Sequence, residues 1–250
     1  MRIFVINLDR RPDRLEAMRR ALDWFGLEFE RISAVDGSKL GSISDQCFWY
    51  ARVYSGLADQ PAGAVGCFLS HRHIWQEMVD RNLPQVLVLE DDCNFADFDK
   101  TILDIDLRAH SIDLLRLEAN PNRYDVFVNQ VTNAPLASTT KRIADRSLSR
   151  DQTVGAGGYM LTIDAARKML KCRKFWFPVD HWDIWWRCYK VDSALLMPVM
   201  ITPNKSRSDI REFVRGPSRV LKSASRSMKN LLRRVLGARS GGEENKHDRP

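Results

Sequence analysis

The most informative stretch of this sequence is Val86-Leu87-Val88-Leu89-Glu90-Asp91-Asp92. Four consecutive large aliphatic residues predict a strand that is buried on both faces, as in the middle of a parallel sheet. Three carboxylates, which we call the acidic motif, follow directly. In an α/β sheet, ligands bind beyond the carboxyl ends of the strands, and the acidic motif falls at such an end. It is therefore the strongest candidate for a functional site.

The acidic motif concentrates negative charge, so a cation or a basic partner is expected beside it. Side chains two residues apart leave a strand on the same side, which lets Glu90 and Asp92 converge on one ion. Mg²⁺ and Mn²⁺ take oxygen ligands of this kind, and such an ion can bridge a diphosphate and neutralise a leaving group. The alternative is an acidic surface turn that caps a helix, and the acidic motif alone leaves both interpretations open.

Strand-like and helix-like patterns alternate on either side of this strand. Residues 3–8 form a short apolar run, a helix is predicted from Pro12 to Gly26, and a second strand follows over residues 27–34. Residues 41–63 are mixed and predicted to be irregular. Further predicted helices cover residues 66–81, 164–172 and 181–189, and further predicted strands cover 112–117, 126–131 and 159–163. The pattern predicts an α/β domain with a central, mostly parallel sheet.

A second candidate site is Pro178-Val179-Asp180-His181-Trp182-Asp183, where an apolar segment leads into two carboxylates at the start of a predicted helix. A carboxylate there can serve as a general base that deprotonates an acceptor hydroxyl, or as a further metal ligand. Equally, a carboxylate at a helix N-terminus is favoured by the helix dipole and can simply cap the helix. The spacing does not choose between Asp180 and Asp183.

Two glycine-rich or basic stretches adjoin other predicted elements. The first, Asn7-Leu8-Asp9-Arg10-Arg11-Pro12-Asp13-Arg14, follows a strand and suits the base and phosphates of a nucleotide, or an ordinary turn with solvated arginines. The second, Gly63-Ala64-Val65-Gly66-Cys67-Phe68-Leu69-Ser70-His71-Arg72, allows tight backbone at a helix start and directs its last three residues toward a candidate pocket. It lacks the G-x-G-x-x-G spacing, so it predicts no dinucleotide site, and a lone histidine on a helix is more often structural than catalytic.

The composition suits one domain with an appendage. The 250 residues are 44% hydrophobic, and no apolar run reaches the length of about 18 residues that predicts a membrane helix. The apolar run at the N-terminus is too short for a signal peptide, so we expect a cytoplasmic protein. The five cysteines form no C-x-x-C pair, which leads us to expect buried reduced thiols instead of a zinc site or disulfides.

The net charge of +7 is concentrated near the C-terminus. Residues 211–239 contain nine basic residues and one acidic residue, which leaves the rest of the chain close to neutral. Apolar residues recur between the basic ones at helical spacing, and this predicts a basic amphipathic helix on an anionic membrane, with about 1 kcal/mol per basic residue. The alternative is a helix that packs on the core or on another subunit. Residues 240–250 are small and polar, which predicts a disordered tail.

Several short motifs occur along residues 1–210 in a specific order. They are Ile6-Asn7-Leu8-Asp9-Arg10 with Asp13-Arg14, Ala34-Val35-Asp36-Gly37, Gly63-x-x-Gly66-Cys67-x-x-Ser70-His71, Leu87-Val88-Leu89-Glu90-Asp91-Asp92, Gly158-Tyr159-x-x-Thr162-x-x-Ala165-Ala166, Pro178-Val179-Asp180 and Ser208-Asp209-Ile210. Together they resemble glycosyltransferase family 25, the family of bacterial lipooligosaccharide galactosyltransferases that is related to collagen galactosyltransferases. Each motif is loose, and their joint order carries the resemblance.

The resemblance implies a GT-A-like, nucleotide-sugar-binding fold, a UDP-sugar donor (often UDP-galactose), a divalent metal at the acidic motif, and inversion at the anomeric carbon. It implies that Glu90 and Asp92 hold Mn²⁺ or Mg²⁺ and that Asp91 joins them at the donor diphosphate. The first carboxylate is a glutamate, unlike that of a plain D-x-D motif, which leaves open which carboxylate touches the metal. The resemblance also implies that Asn7, Arg10, Arg14 and Asp36 line the nucleotide side. Ser70 is a further candidate for donor binding, because its position directs it toward a candidate pocket.

We therefore predict a metal-dependent hexosyltransferase over residues 1–210 that passes a sugar to lipopolysaccharide, lipooligosaccharide or another cell-surface glycan at the inner face of the cytoplasmic membrane. By the resemblance Asp180 stands near the reacting centre, and we take it as the base, with Asp183 as the competing candidate. One alternative is a nucleotidyl or phosphoryl transferase that uses the same carboxylates, although the sequence has no P-loop. A second is a sugar-nucleotide-binding module without catalysis. A nucleic-acid partner is not expected, because the body of the chain is near neutral.

Overall fold

The computed structural model describes residues 1–40, 61–95, 97–118, 136–138, 155–196 and 199–204. Two short 3₁₀ helices lie at Gly37–Lys39 and Lys100–Asp104. The other elements, in chain order, are β1 (Arg2–Asn7), α1 (Pro12–Trp24), β2 (Glu30–Ser33), α2 (Pro61–Asp80), β3 (Gln85–Glu90), β4 (Cys93–Asn94), β5 (Leu114–Arg116), β6 (Leu136–Ser138), β7 (Gly158–Thr162), α3 (Ile163–Met169), α4 (Trp182–Tyr189), β8 (Ser193–Leu196) and β9 (Thr202–Pro203).

Seven strands form one sheet in the order β2-β1-β3-β7-β5-β8-β6. Strands β2, β1 and β3 are mutually parallel, and β5 is parallel to β8. Strand β7 runs antiparallel to both β3 and β5, so these two groups point the same way, and β6 is antiparallel to β8. The prediction of an α/β domain around a mostly parallel sheet is confirmed. Strands β4 and β9 form a separate antiparallel pair.

Strand β3 lies inside the sheet and is buried on both faces, as its aliphatic run predicts. Val86 and Val88 pack into a cluster that includes the aromatic side chains of α2 and α4. Leu87 and Leu89 face the opposite side, where α1 and the side chains of Phe95, Phe98 and Ile102 cover the sheet. All four side chains are fully buried. The alternation along one strand therefore joins two hydrophobic layers and fixes where the acidic motif emerges.

Helix α2 begins earlier than predicted. It starts at Pro61, whereas the sequence pattern indicated irregular structure up to residue 63 and a helix only from residue 66. Pro61 suits a first helical position because its ring fixes φ near the helical value. Packing excludes a side chain at Gly66 within this helix, since a Cβ there would lie 2.5 Å from the carbonyl oxygen of Val35. The glycines mark a close approach between α2 and the segment after β2, which a local pattern does not distinguish from a turn.

Several predicted segments lie outside the described residues. These are the strand over 126–131, the motif at Ser208-Asp209-Ile210, the basic segment 211–239 and the tail 240–250. Within the described ranges, no helix combines the length and the apolar character that crossing a bilayer requires.

Candidate functional site

The acidic motif lies at the sheet edge where the parallel strands end. Strand β3 ends at Glu90, and the antiparallel strand β7 begins at the same edge with Gly158. The backbone N–H of Glu90 donates to the carbonyl oxygen of Gly157 across 2.7 Å, which ties the start of the acidic motif to the loop before β7. We call this region the acidic edge, and the topological rule for ligand sites in α/β sheets places binding there.

Asp91 is held from two sides by the first motif of the chain. Asn7 donates from Nδ2 to one carboxylate oxygen of Asp91 across 2.7 Å, and Arg14 donates from Nη1 to the other across 3.1 Å. Arg31 in turn donates from Nε to Oδ1 of Asn7 across 3.0 Å. Burial raises the pKa of Asp91, and the bonds from Asn7 and Arg14 oppose the rise. The structure therefore places Asn7, Arg14 and Asp91 in one network that fixes the turn carrying the acidic motif.

Asp92 faces a more negative environment. Burial, with the charges of Glu90 and Asp91, raises the pKa of Asp92 to about 7, and the more distant Arg14 guanidinium, 4.0 Å away, opposes that rise only partly. A divalent cation would relieve this repulsion and stabilise the ionised carboxylate. Carboxylate oxygens gathered at a strand end are ligands that fit Mn²⁺ or Mg²⁺.

Glu90 is supported by a buried chain of polar groups. His71 lies on α2, and its Nε2 is 3.1 Å from Oε1 of Glu90, while its Nδ1 is 2.8 Å from the hydroxyl of Tyr159. Trp75 donates from Nε1 to the same hydroxyl across 3.3 Å. With Nε2 protonated, every donor in the chain has an acceptor: Trp75 donates to Tyr159, Tyr159 donates to His71, and His71 donates to Glu90. His71 therefore orients one carboxylate oxygen of Glu90.

Glu118 also belongs to the acidic edge and was not among the predicted site residues. It follows strand β5 and is 7% exposed, and its Oε2 accepts a hydrogen bond from the backbone N–H of Gly157. Burial, reinforced by the charge of Glu90, raises the pKa of Glu118 to about 7. Its signal was a carboxylate directly after an apolar strand, the same pattern that identified Glu90.

The loop over residues 155–157 packs directly on Glu118. A Cβ on Gly157 would lie 2.7 Å from Oε2 of Glu118, and one on Gly155 would lie 3.2 Å from its Cδ. Gly155 also has φ +122°, which a side chain would strain. Glycine is required at both positions because a buried carboxylate lies directly beneath the loop.

Asp180 reaches the acidic edge through the same loop. The N–H of Gly155 donates to Oδ2 of Asp180 across 3.3 Å, and Trp182 donates from Nε1 to the carbonyl oxygen of Gly155 across 2.9 Å. Asp180 is half-buried just before α4, whereas Asp183 is 6% exposed in the first turn of that helix. The two candidate bases thus differ in their exposure to solvent, and Asp180 is the one that faces the acidic edge.

Burial raises the pKa of the Cys67 thiol well above its ordinary value, and the charges of Glu90, Asp180 and Asp92 add to the rise. Carboxylates from the acidic motif and from the segment before α4 therefore act on the same point. The structure brings together the two candidate sites that the sequence placed about ninety residues apart.

The remaining predicted donor-binding residues line the neighbouring end of β2. Arg10 forms an ion pair with Asp36, whose Oδ1 also accepts from the N–H of Ser38 across 3.0 Å and so caps a 3₁₀ turn. Ser70 is buried, and its hydroxyl accepts from the N–H of Val35 across 2.8 Å. Arg10 and Asp36 are reachable from solvent, while Ser70 fastens α2 to the segment that carries Asp36.

Comparison with known proteins identifies the class. The model of glycosyltransferase family 25, described as an LPS biosynthesis protein family, matches residues 1–184. The chain belongs to this family, and a GT-A-like domain is what membership implies.

Its relatives include a glycosyltransferase 25 family member of Drosophila melanogaster, which is 32% identical over 189 residues. Mouse procollagen galactosyltransferase 2 is 30% identical over 199 residues. Each of these alignments covers 72% of this chain and 29% of the relative. The human inactive glycosyltransferase 25 family member 3 is 38% identical over 135 residues, which are 48% of this chain and 22% of the relative. This chain thus spans less than a third of the length of these relatives.

Among solved structures, a glycosyltransferase involved in the glycosylation of the major capsid of PBCV-1 is similar, with a TM-score of 0.43 and 10% identity. That similarity covers 84% of this chain and 95% of the other.

Proposed function

We propose that this chain is an inverting glycosyltransferase that moves a hexose from a UDP-sugar to a glycan hydroxyl with the help of a divalent cation. The observation that carries the proposal is that the loop over residues 155–157 bonds both to Glu90, beside Asp92, and to Asp180 at one sheet edge. Carboxylates gathered where ligands enter an α/β sheet suit a cation and a diphosphate.

Glu90 and Asp92 would hold Mn²⁺ or Mg²⁺, and the ion would supply positive charge to the diphosphate leaving group. The protein's own part is to fix the two ligands. Glu90 is oriented by His71, and the turn before Asp92 is fixed by the bonds that Asn7 and Arg14 make to Asp91. Asp91 on this account shapes the site, and the neighbouring pair of Arg10 and Asp36 offers charged groups to the nucleotide.

Asp180 is proposed as the general base. Inverting transfer needs a base on the face of the sugar opposite the leaving group, where it takes the proton of the attacking hydroxyl. The N–H of Gly155 fixes one oxygen of Asp180, and the half-buried position of this residue leaves room for an acceptor. Asp183 is buried within the first turn of α4, where the helix dipole favours a carboxylate without any catalytic role.

Galactose is the first donor sugar to test, because mouse procollagen galactosyltransferase 2 is among the relatives. The proposed acceptor is a lipid-linked cell-surface oligosaccharide, which agrees with the description of the family model. The basic segment 211–239 would bring the enzyme to an anionic membrane, at the cytoplasmic face, through its nine cationic residues. Procollagen is the competing acceptor suggested by the mouse relative.

The experiment is a panel of UDP-sugars incubated with the purified chain in Mn²⁺, Mg²⁺ or EDTA, with released UDP as the readout. The proposal expects UDP release from one sugar that depends on the cation. Pyrophosphate in place of UDP would indicate nucleotidyl transfer and contradict the proposal.

A catalytically inactive sugar-nucleotide-binding module is the second candidate, because one relative is named an inactive family member. Titration calorimetry with the same UDP-sugars distinguishes the two. Cation-dependent donor binding without UDP release, in the presence of candidate acceptors, would favour the inactive module.

A further inference from the structure

Three ligating atoms of different chemical kinds converge beside the acidic edge. The Sγ of Cys67, a ring nitrogen of His71 and a carboxylate oxygen of Glu90 all lie within 4.8 Å of one another. Cys67 and His71 are four residues apart on α2, so they share a face of the helix and point toward the end of β3. The measured separations from Oε1 of Glu90 are 3.1 Å to Nε2 of His71 and 4.0 Å to Sγ of Cys67.

We propose that Cys67, His71 and Glu90 form a transition-metal site that takes Zn²⁺. A thiolate, an imidazole and a carboxylate are the ligand types of zinc sites, and three protein ligands leave a fourth position for water or another group. Mg²⁺ and Mn²⁺ prefer oxygen ligands, so the sulfur and nitrogen donors select against them. The site shares Glu90 with the Glu90 and Asp92 pair proposed for the donor cation, and it differs from that pair in using Cys67 and His71.

The surroundings of the site suit a bound cation. The hydroxyl of Tyr159, 2.8 Å from Nδ1 of His71, is the kind of outer partner that fixes a metal-ligating histidine ring. The ring also stacks on that of Tyr159 with centroids 5.6 Å apart, which restricts its rotation. Glu90 is 31% exposed and Cys67 is half-buried, so an ion can enter from the acidic edge. Asp92 and Asp180 add negative charge around the thiol, which attracts a dication.

Binding requires two proton movements. The Cys67 thiol releases its proton to solvent as the sulfur–zinc bond forms. The His71 proton moves from Nε2 to Nδ1, and Nδ1 then donates to the hydroxyl oxygen of Tyr159, whose own O–H turns away from the ring. Charge and atoms balance, because Zn²⁺ enters and one proton leaves. No oxidant or further reactant is needed.

Cys67 is thus more than the buried thiol that the sequence led us to expect. Glu90 lies on a different element, nineteen residues after His71. A local spacing pattern of cysteine and histidine therefore does not indicate the site. Only the packing of α2 against the end of β3 brings the three atoms together.

The test uses Co²⁺ as a spectroscopic substitute for Zn²⁺ on the full chain after removal of metal with a chelator. A thiolate-to-Co²⁺ charge-transfer absorption that saturates near one equivalent, and that Zn²⁺ abolishes, is expected. Cys67→Ser should lose this absorption, and the matched control Cys188→Ser, on α4, should keep it. No such absorption in the unaltered chain, or its persistence in Cys67→Ser, would overturn the proposal.

A second measurement needs no variant and no activity, which protects the test against a substitution that fails to fold. Zinc K-edge X-ray absorption of the chain loaded with one equivalent of Zn²⁺ should show one sulfur at about 2.3 Å with nitrogen and oxygen at about 2.0–2.1 Å. A shell of nitrogen and oxygen without sulfur would overturn the site. Because neither measurement uses a sugar donor, the zinc site is tested independently of the proposed transferase activity.

Discussion

His71 bridges Tyr159 and Glu90, with Nδ1 at 2.8 Å from the hydroxyl of Tyr159 and Nε2 at 3.1 Å from Oε1 of Glu90. The bridge couples the aromatic core to the acidic edge. An outer hydrogen bond of this kind orients a metal ligand, and its loss costs about 10- to 100-fold in metal affinity in known sites. The hydroxyl of Tyr159 is therefore expected to affect the affinity for a cation that it does not itself contact.

Tyr159→Phe should raise the Mn²⁺ concentration needed for half-maximal UDP release by about 10-fold, because His71 loses the partner that fixes its ring. A titration of activity with Mn²⁺ measures this. The control is Tyr189→Phe, which removes a hydroxyl that accepts from Trp176 across 3.4 Å in the same aromatic cluster. Equal Mn²⁺ requirements in the two variants would show that the bridge has no bearing on the cation.

Gly66→Ala should destabilise the protein by about 1–3 kcal/mol, because the added methyl group would overlap the backbone of Val35 and force α2 away from it. Urea unfolding measures the free energy. Gly26→Ala is the control, since a Cβ there meets nothing within 4 Å and only the φ of +67° opposes it. A smaller loss in Gly66→Ala than in Gly26→Ala would contradict the close approach of α2.

Glu118 should make the metal-free protein less stable as pH rises. Burial raises its pKa to about 7 from an unfolded value near 4.5. Between those values the folded state holds a proton that the unfolded state releases, so the free energy of unfolding falls with rising pH and this contribution is lost above pH 7. Thermal melts from pH 4.5 to 8 should show a shallower decline in Glu118→Gln. An unchanged pH slope in that variant would show that Glu118 ionises normally.

The sequence predicted the features whose signals are local. Four aliphatic residues followed by three carboxylates were enough to place β3 and the acidic motif at a strand end. The bond between Glu118 and Gly157 spans thirty-nine positions, and the contact between His71 and Tyr159 spans eighty-eight. A local pattern in the sequence indicates neither contact, because the pairing of β5 with β7 creates the first and the packing of α2 against β7 creates the second.

The same distinction explains the glycines of α2. Their motif predicted tight backbone at a helix start, and the structure places Gly66 inside the helix, where the segment after β2 packs against its backbone. The family resemblance, by contrast, used the order of motifs along the chain, and the match over residues 1–184 confirms it.

Asp180→Asn should lower turnover by about 100-fold or more with little change in stability, because it removes the proposed base while keeping an oxygen that can accept from Gly155. Asp183→Asn, at a buried position, is expected to affect the melting temperature more than turnover. Steady-state transfer rates and thermal melts on both variants decide the assignment. Near-normal turnover in Asp180→Asn would show that this residue is not the base.

The most direct test of the central claim is cation-dependent UDP release by Asp92→Asn, compared with the unaltered chain and with Asp23→Asn on the exposed side of α1. The account predicts that the unaltered chain and Asp23→Asn release UDP from one UDP-sugar in Mn²⁺ and not in EDTA, and that Asp92→Asn loses the release while still melting cooperatively. Release of UDP that is indifferent to EDTA, or that survives in Asp92→Asn, would contradict a cation-assisted transferase at the acidic edge.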